Sequence, residues 1–308
     1  MKALQIKDLH KRYANGIHAV KGISLEVAQG EFFGLLGPNG AGKSTIIGIV
    51  SSLVNKTEGC VSIFGHDLDK ENETAKSHIG LVPQEFNFNM FERVIDILTQ
   101  QAGYYGIPYK LAKEKAEFYL HKLSMWDKAK EPARNLSGGL KRRLLIIRGI
   151  IHEPKLLILD EPTAGVDIEL RRSTWAFLQE INAKGTTIIL TTHYLEEAES
   201  LCKRIAIINH GEIIQDMGVK KLLATLDKET IILDLLDPTS VVPQIEGFEF
   251  IKVDECTLEV SFHRHTSLNQ LFVELLKQGI EVMSFRNKAN RLEELFLDLV
   301  HTKKGTQS

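Results

Sequence analysis

The nine residues Gly37, Pro38, Asn39, Gly40, Ala41, Gly42, Lys43, Ser44 and Thr45 constrain this chain more than any other part of its 308 residues. They follow an apolar run, Phe32 to Leu36, and lead into Ile46 to Leu53, whose composition suits a helix. That order demands a strand, a glycine-rich bend and a helix in succession. Glycines let successive backbone N–H groups curl around an anion, and the positive end of the following helix strengthens the field there. The spacing G-x-x-x-x-G-K-[ST] is that of a phosphate-binding loop, in which Lys43 holds the outer phosphates and Ser44 offers a hydroxyl to magnesium.

A second apolar run, Leu156 to Leu159, ends in the acid pair Asp160 and Glu161. Alone it reads equally well as the approach to a helix beginning at Pro162. Beside a phosphate loop it reads as a buried strand. Asp160 then reaches the metal, directly or through water, and Glu161 accepts a proton from, or orients, the water attacking the terminal phosphate.

The rest of the chain bounds the class. It is 43% hydrophobic and 25% charged with a formal net charge of -2, which fits one or two ordinary globular domains and gives no electrostatic case for a nucleic-acid partner. Lys141-Arg142-Arg143 and Arg171-Arg172 read as solvated helix faces. Cys60, Cys202 and Cys256 lie far apart without CxxC spacing, so neither a disulfide framework nor a zinc site is encoded, and a reducing cytoplasm fits. The first twenty residues lack the apolar core of a secretory signal, and the apolar runs are far shorter than the roughly 20 residues that cross a bilayer. Any service to a membrane is expected from outside the lipid.

Residues 4–9 and 17–28 alternate apolar and polar positions around Asn15-Gly16, which predicts antiparallel strands joined by a hairpin. From Glu31 onward, short apolar runs separated by helical segments predict a buried parallel sheet, hence an α/β core. Residues 85–149 are mostly helical in period, as in Glu92 to Gln101 and Leu111 to Leu123, and read as an insert. After Gly218 the pattern predicts a small α+β domain, with strands near 230–236, 248–253, 257–262 and 280–286 and helices near 268–277 and 291–301. The expected domains are therefore 1–226 and 227–308, with the boundary near Asp227 unmarked by any Pro/Gly linker.

Further motifs complete a pattern: Gln84 in Val82-Pro83-Gln84, the run Leu136-Ser137-Gly138-Gly139-Leu140, the turn Ala164-Gly165-Val166-Asp167, and His193 in Thr191-Thr192-His193. In order and spacing these, with the phosphate loop and the acidic strand, resemble an ATP-binding cassette (ABC) ATPase over nearly the whole of the first 215 positions. The resemblance implies a P-loop NTPase fold of ABC-cassette type, with an N-terminal antiparallel β region, a helical insert and the small C-terminal α+β domain. It implies ATP and Mg2+ as ligands, with Ser44, Gln84 and Asp160 at the metal. Tyr13 would stack on adenine, its alternative being an ordinary strand-face tyrosine. Gln84 would touch the metal or the attacking water, and His193 would hydrogen-bond the γ-phosphate and hold Glu161 and the water in line.

The same resemblance assigns Ser137, Gly138 and Gly139, at the start of a helix, to a phosphate of the other subunit. One phosphate loop and one such signature per chain then imply a head-to-tail homodimer with two ATP molecules sandwiched between subunits and Asp167 at the interface. Leu140 departs from the glutamine of the commonest signature, and Leu there followed by Lys/Arg residues resembles the branch serving ABC-2 type exporters of drugs and polysaccharides. That branch implies a separate membrane-embedded permease, its short cytoplasmic helix received by a groove in residues 85–105. Phe86, Phe88 and Phe91 either line that groove or pack in the core. The protein is then expected to be cytoplasmic and peripheral on the inner face of the membrane. A soluble ABC ATPase acting on ribosomes or nucleic acid is the alternative, discouraged by the single cassette. Leu292, Leu295, Phe296 and Leu299 share a helical face that reads first as packing on its own sheet, and His263 with His265 lacks a further ligand for a metal.

Overall fold

The computed structural model describes residues 1–224, 228–239, 241–263 and 266–288. The chain divides into two compact units, Met1–Met217 and Gly218–Ser308. The first opens with β1 (Lys2–Arg12) and β2 (His18–Ala28), a hairpin pairing Arg12 with His18 across a turn in which Gly16 has φ 86°. Then follow β3 (Phe32–Leu36), α1 (Lys43–Val50), β4 (Glu58–Ile63), β5 (His66–Asp67), α2 (Asn72–Ser77) and β6 (Ile79–Val82). Next come α3 (Val94–Tyr104), α4 (Tyr109–Lys122) and α5 (Gly138–Ile150), the helices expected between 85 and 149. The unit continues through β7 (Leu156–Asp160), α6 (Ile168–Ala183), β8 (Thr187–Thr192), α7 (Leu195–Leu201), β9 (Arg204–Asn209) and β10 (Glu212–Gly218).

Two sheets hold this unit. One is four-stranded, in the order β2-β1-β4-β5, of which the alternation of polarity did not reveal β4 or the two-residue β5. The other is six-stranded, in the order β10-β9-β3-β8-β7-β6, with β3 parallel to β8 and β9, and β7 parallel to β6 and β8. Every residue of β3, β7 and β8 is buried, as strands covered on both faces require. One continuous core joins the inner face of the antiparallel sheet (Leu4, Ile6, Ile23) through α1 (Ile46, Ile49) to the parallel sheet (Phe33, Leu35, Ile158). Burial of this apolar surface is the main term stabilising the unit.

The second unit contains α8 (Val219–Ala224), β11 (Lys228–Leu235), β12 (Phe248–Lys252), β13 (Thr257–His263), α9 (Leu268–Lys277) and β14 (Val282–Asn287). Its strands form an antiparallel sheet in the order β12-β13-β11-β14, against which α9 buries Leu271 and Leu275. Contacts divide the chain ahead of α8, whereas the sequence reading placed the boundary at Asp227, just beyond this short helix. The expected helix near 291–301 and His265 lie outside the described residues. Among the described residues no three His, Cys, Asp or Glu side chains are grouped to hold a metal.

His152, just after α5, fastens the insert to the parallel sheet. Its Nε2 hydrogen-bonds the Ile79 carbonyl at 2.9 Å, and its ring stacks on Tyr105 with centroids 3.5 Å apart. The Nδ1 atom is buried without a partner among the described residues, so the ring is neutral with its proton on Nε2. Burial is the main cause that holds its pKa down to about 4 from the ordinary 6.5. The unfolded chain therefore takes up this proton first as pH falls, and stability is lost between about pH 6.5 and 4. Urea unfolding across this range should show a steeper loss for the wild type than for His152→Gln, which keeps a donor for Ile79 but does not titrate; equal slopes would remove His152 from this role.

Candidate functional site

Parallel pairing aligns the carboxyl ends of β3, β7 and β8 on one edge: Leu36 pairs with Thr192, and Asp160 with Thr191. The glycine loop after β3, the acid pair at the end of β7 and His193 after β8 emerge there together. Carboxyl edges of open α/β sheets are where such folds place ligands.

The loop needs glycine at identifiable positions. Gly42, the N-cap of α1, has φ 111°, and a Cβ there would meet the Ala19 carbonyl oxygen at 2.7 Å. A Cβ on Gly37 would lie 2.4 Å from the Ile208 carbonyl oxygen. The loop is thus seated against backbone of β2 and β9 that cannot yield as a flexible side chain would. Lys43 is buried and donates to the carbonyls of Gly37 at 2.6 Å and Pro38 at 3.1 Å, closing the loop on itself. Burial lowers its pKa, while the nearby Glu161 and Asp160 carboxylates oppose that.

A cavity of about 350 Å³ lies over the loop, lined by Ala19, Asn39 to Thr45, Gln84 and Glu161. Glu161 occupies the left-handed region at φ 50°, which costs a non-glycine residue of order 1–3 kcal/mol. Its N–H is held by the Thr191 carbonyl at 3.0 Å and the Thr191 hydroxyl at 3.3 Å. Its carboxylate accepts from Gln84 Nε2 at 3.1 Å on one oxygen and meets His193 Nδ1 at 3.0 Å on the other. Three segments separate in sequence therefore converge on one carboxylate at the cavity wall.

Asp160 is buried and accepts a short hydrogen bond from the Thr191 hydroxyl. Thr191 thus holds both acids; it lies within the Thr-Thr-His run, but only the strand pairing reveals its task. The available donors suit magnesium. They are hard oxygens: on the cavity, the Ser44 hydroxyl and the Gln84 side-chain carbonyl, whose amide nitrogen is already turned to Glu161, and behind them the carboxylate of Asp160, which is buried against Thr191 and is not among the residues lining the cavity. Mg2+ is usually held by one or two carboxylates together with phosphates and water, not by an all-protein cage.

Tyr13 is partly exposed, its hydroxyl 3.3 Å from Thr45 Oγ1 and its ring 4.9 Å from Lys11 Nζ. It therefore borders the end of the phosphate loop. Ser137, Gly138 and Gly139 are not among the residues lining the cavity. Ser137 N-caps α5, accepting from Leu140 N at 3.3 Å, and Ser137 and Gly138 are exposed. A Cβ on Gly139 would meet Leu170 Cδ2 at 2.0 Å, so glycine lets α5 pack against α6. Asp167 N-caps α6, accepting from Leu170 N at 2.8 Å.

A phosphate loop at the head of a helix, with an acid pair and a histidine on the same sheet edge, defines a P-loop nucleoside triphosphatase. The ABC transporter family model matches residues 20–164. The chain is 35% identical to the linearmycin resistance ATP-binding protein LnrL of Bacillus subtilis over 304 residues, covering 96% of this chain and 97% of that one. It is 32% identical to the daunorubicin/doxorubicin resistance ATP-binding protein DrrA of Streptomyces peucetius, over 97% and 92% of the two chains. It is also similar to a dimeric post-hydrolysis state of the ATP-binding cassette MJ0796 bound to ADP and Pi, with a TM-score of 0.66 and 25% identity over 70% of this chain and 98% of that one. The chain belongs to the ABC transporter family, as an ATP-binding and ATP-hydrolysing subunit.

Gly37→Ala tests the seating of the loop. Because the added carbon meets backbone, stability should fall by about 2 kcal/mol or more in urea unfolding; an unchanged midpoint would contradict the seating described.

Proposed function

We propose that this subunit hydrolyses ATP with Glu161 acting on the attacking water, and that it drives a separate membrane permease of the ABC-2 type in export. The observation carrying this reading is the Glu161 carboxylate, held at the cavity wall between Gln84 and His193. A carboxylate so fixed can take up or orient a water proton at the end of the phosphate loop. His193, exposed at the sheet edge, donates from Nδ1 to Glu161, and with a proton on each ring nitrogen it can also donate from Nε2 to a terminal phosphate. Lys43 exchanges its loop carbonyls for the outer phosphates. Asn39, Gly40, Ala41, Gly42, Ser44 and Thr45 present backbone N–H or hydroxyl groups to the phosphate chain, Gly37 and Pro38 shape the entry to the loop, and Tyr13 lies beside the base. Ser44, Gln84 and Asp160 would hold magnesium, which when bound neutralises phosphate charge.

Ser137, Gly138 and Gly139 belong, in this reading, to the nucleotide site of a second copy. The exposure of Ser137 and Gly138 and the absence of all three from the cavity lining support a head-to-tail homodimer, as does the likeness to a dimeric cassette. Export is supported by the name of a further relative, the Nod factor export ATP-binding protein I of Burkholderia pseudomallei, 32% identical over 96% of each chain. Among the described residues no helix is long and apolar enough to cross a membrane, which fits a peripheral subunit on the cytoplasmic face. In the segment after Gln84, Phe86 and Phe91 are 36% and 75% exposed while Phe88 is half-buried. Two of the three aromatics are therefore available to a permease helix.

Two substitutions test the assignments. Lys43→Ala should weaken ATP binding about ten- to a hundredfold in a titration with fluorescent nucleotide, since it removes a charged donor. Glu161→Gln should bind ATP normally but turn it over at least about a hundredfold more slowly; affinity capture of this variant from solubilised membranes with ATP should recover a polytopic membrane protein. Recovery of ribosomes instead, or near-normal turnover, would overturn the corresponding half of the proposal.

A further inference from the structure

The segment Pro83 to Asn87 has no regular secondary structure, although it carries Gln84. Its backbone carbonyls need donors from elsewhere. Arg142, one turn into α5, donates from Nη1 to the carbonyls of Pro83 at 3.1 Å and Gln84 at 2.8 Å, and its guanidinium lies 5.2 Å from the Phe86 ring centroid. Arg148, farther along the same helix, donates to Asn87 Oδ1 at 2.6 Å and to its carbonyl at 3.3 Å. Thus α5 fixes both ends of the segment.

Arg142 is an expensive way to do this if stability is the only return. It is 7% exposed, no carboxylate forms an ion pair with it among the described residues, and its Nε is buried without a hydrogen-bond partner. Burial penalises the Arg142 charge, and the nearby Glu161 and Asp160 carboxylates offset only part of that penalty. What the guanidinium does supply is position, because it grips the backbone of the residue whose side chain donates to Glu161.

We propose that Arg142 is a positioning residue for hydrolysis: through the carbonyls of Pro83 and Gln84 it ties the signature helix α5 to the side chain that orients Glu161. This rests on the assignment of Glu161 and Gln84 to hydrolysis. If α5 begins at the nucleotide of a second copy, the same contact transmits that nucleotide's presence to this subunit's own water-activating group. The chain from Ser137 through α5, Arg142, Gln84 and Glu161 is continuous in covalent structure or hydrogen bonds.

The test is a double-mutant cycle in the full-length chain, comparing wild type, Arg142→Met, Gln84→Ala and the double variant for kcat, ATP affinity and thermal midpoint. Arg142→Met, assayed well below its thermal midpoint, should lower kcat by about 10- to 100-fold, the scale of a small misplacement at a reacting centre, with ATP affinity within about twofold and a midpoint lowered by the loss of the donor to the Pro83 and Gln84 carbonyls. In the Gln84→Ala background the same change should cost little more, because both act through one contact. Arg142→Lys, which can still reach one carbonyl, should recover part of the rate. Full additivity, unchanged kcat, or a rate loss that merely follows a lower thermal midpoint would overturn the proposal. Should Arg142→Met fail to fold, Arg142→Lys decides alone: a several-fold lower kcat at unchanged ATP affinity is expected, and wild-type kcat refutes it. Glu161→Gln measured alongside keeps the two readings apart, since near-normal turnover there would discard the assignment of Glu161 whatever Arg142 does.

Discussion

Because β3, β8 and β7 pair in parallel, the segments leaving their carboxyl ends are forced onto a single edge, and the site exists only through that pairing. An antiparallel neighbour would carry its acids or its histidine to the opposite side of the sheet. The three strands are buried along their whole length, as layers on both faces of a parallel sheet require, and two of the polar side chains they carry, Asp160 and Thr191, are hydrogen-bonded to each other. Thr191 adds the local adjustment: from β8 it holds the hydroxyl-bonded Asp160 and the strained backbone of Glu161 at the end of β7. The strain is tolerable because two acceptors on one neighbouring residue hold the same N–H.

Around Glu161 the arrangement is one of shared restraint. Gln84 comes from the segment entering the helical insert and His193 from the loop entering α7, so a shift of either element moves a hydrogen bond to the same carboxylate. Such a group is sensitive to distant packing, which suits a subunit whose hydrolysis must answer to a partner. The insert is joined to the sheet by close packing of α5 on β6, where a Cβ on Gly80 would meet the Gly149 carbonyl oxygen at 2.1 Å, and by His152 on Ile79, while Arg142 ties α5 to the segment that follows β6.

How much of this was legible in the sequence depended on the range of the interaction. The phosphate loop could be read because its glycines answer to local backbone geometry, and Gly42 indeed takes a positive φ against Ala19. Short, mainly apolar runs revealed β3, β7 and β8, and the helices of the insert fell close to their expected limits. Gly139 carries a second reason that no local pattern holds, the approach of Leu170 from α6. Arg142 read as a solvated helix face; it is instead buried on a carbonyl 58 residues away, and its sequence neighbourhood contains nothing that distinguishes the two. The change of pattern after Gly218 coincides with the division between the two units, whereas the boundary placed near Asp227 lies beyond α8, a short helix that follows β10 directly.

The account turns on a nucleotide site shared between two copies, and inter-chain cross-linking tests that most directly. Asn39→Cys and Ser137→Cys would be placed on separate chains that carry Glu161→Gln and have Cys60 and Cys256 replaced, then mixed and oxidised with and without ATP. A head-to-tail sandwich predicts a disulfide-linked dimer of the two different variants that forms efficiently only with ATP. A yield that ignores ATP, or no cross-linked dimer while ATP is bound, would contradict it.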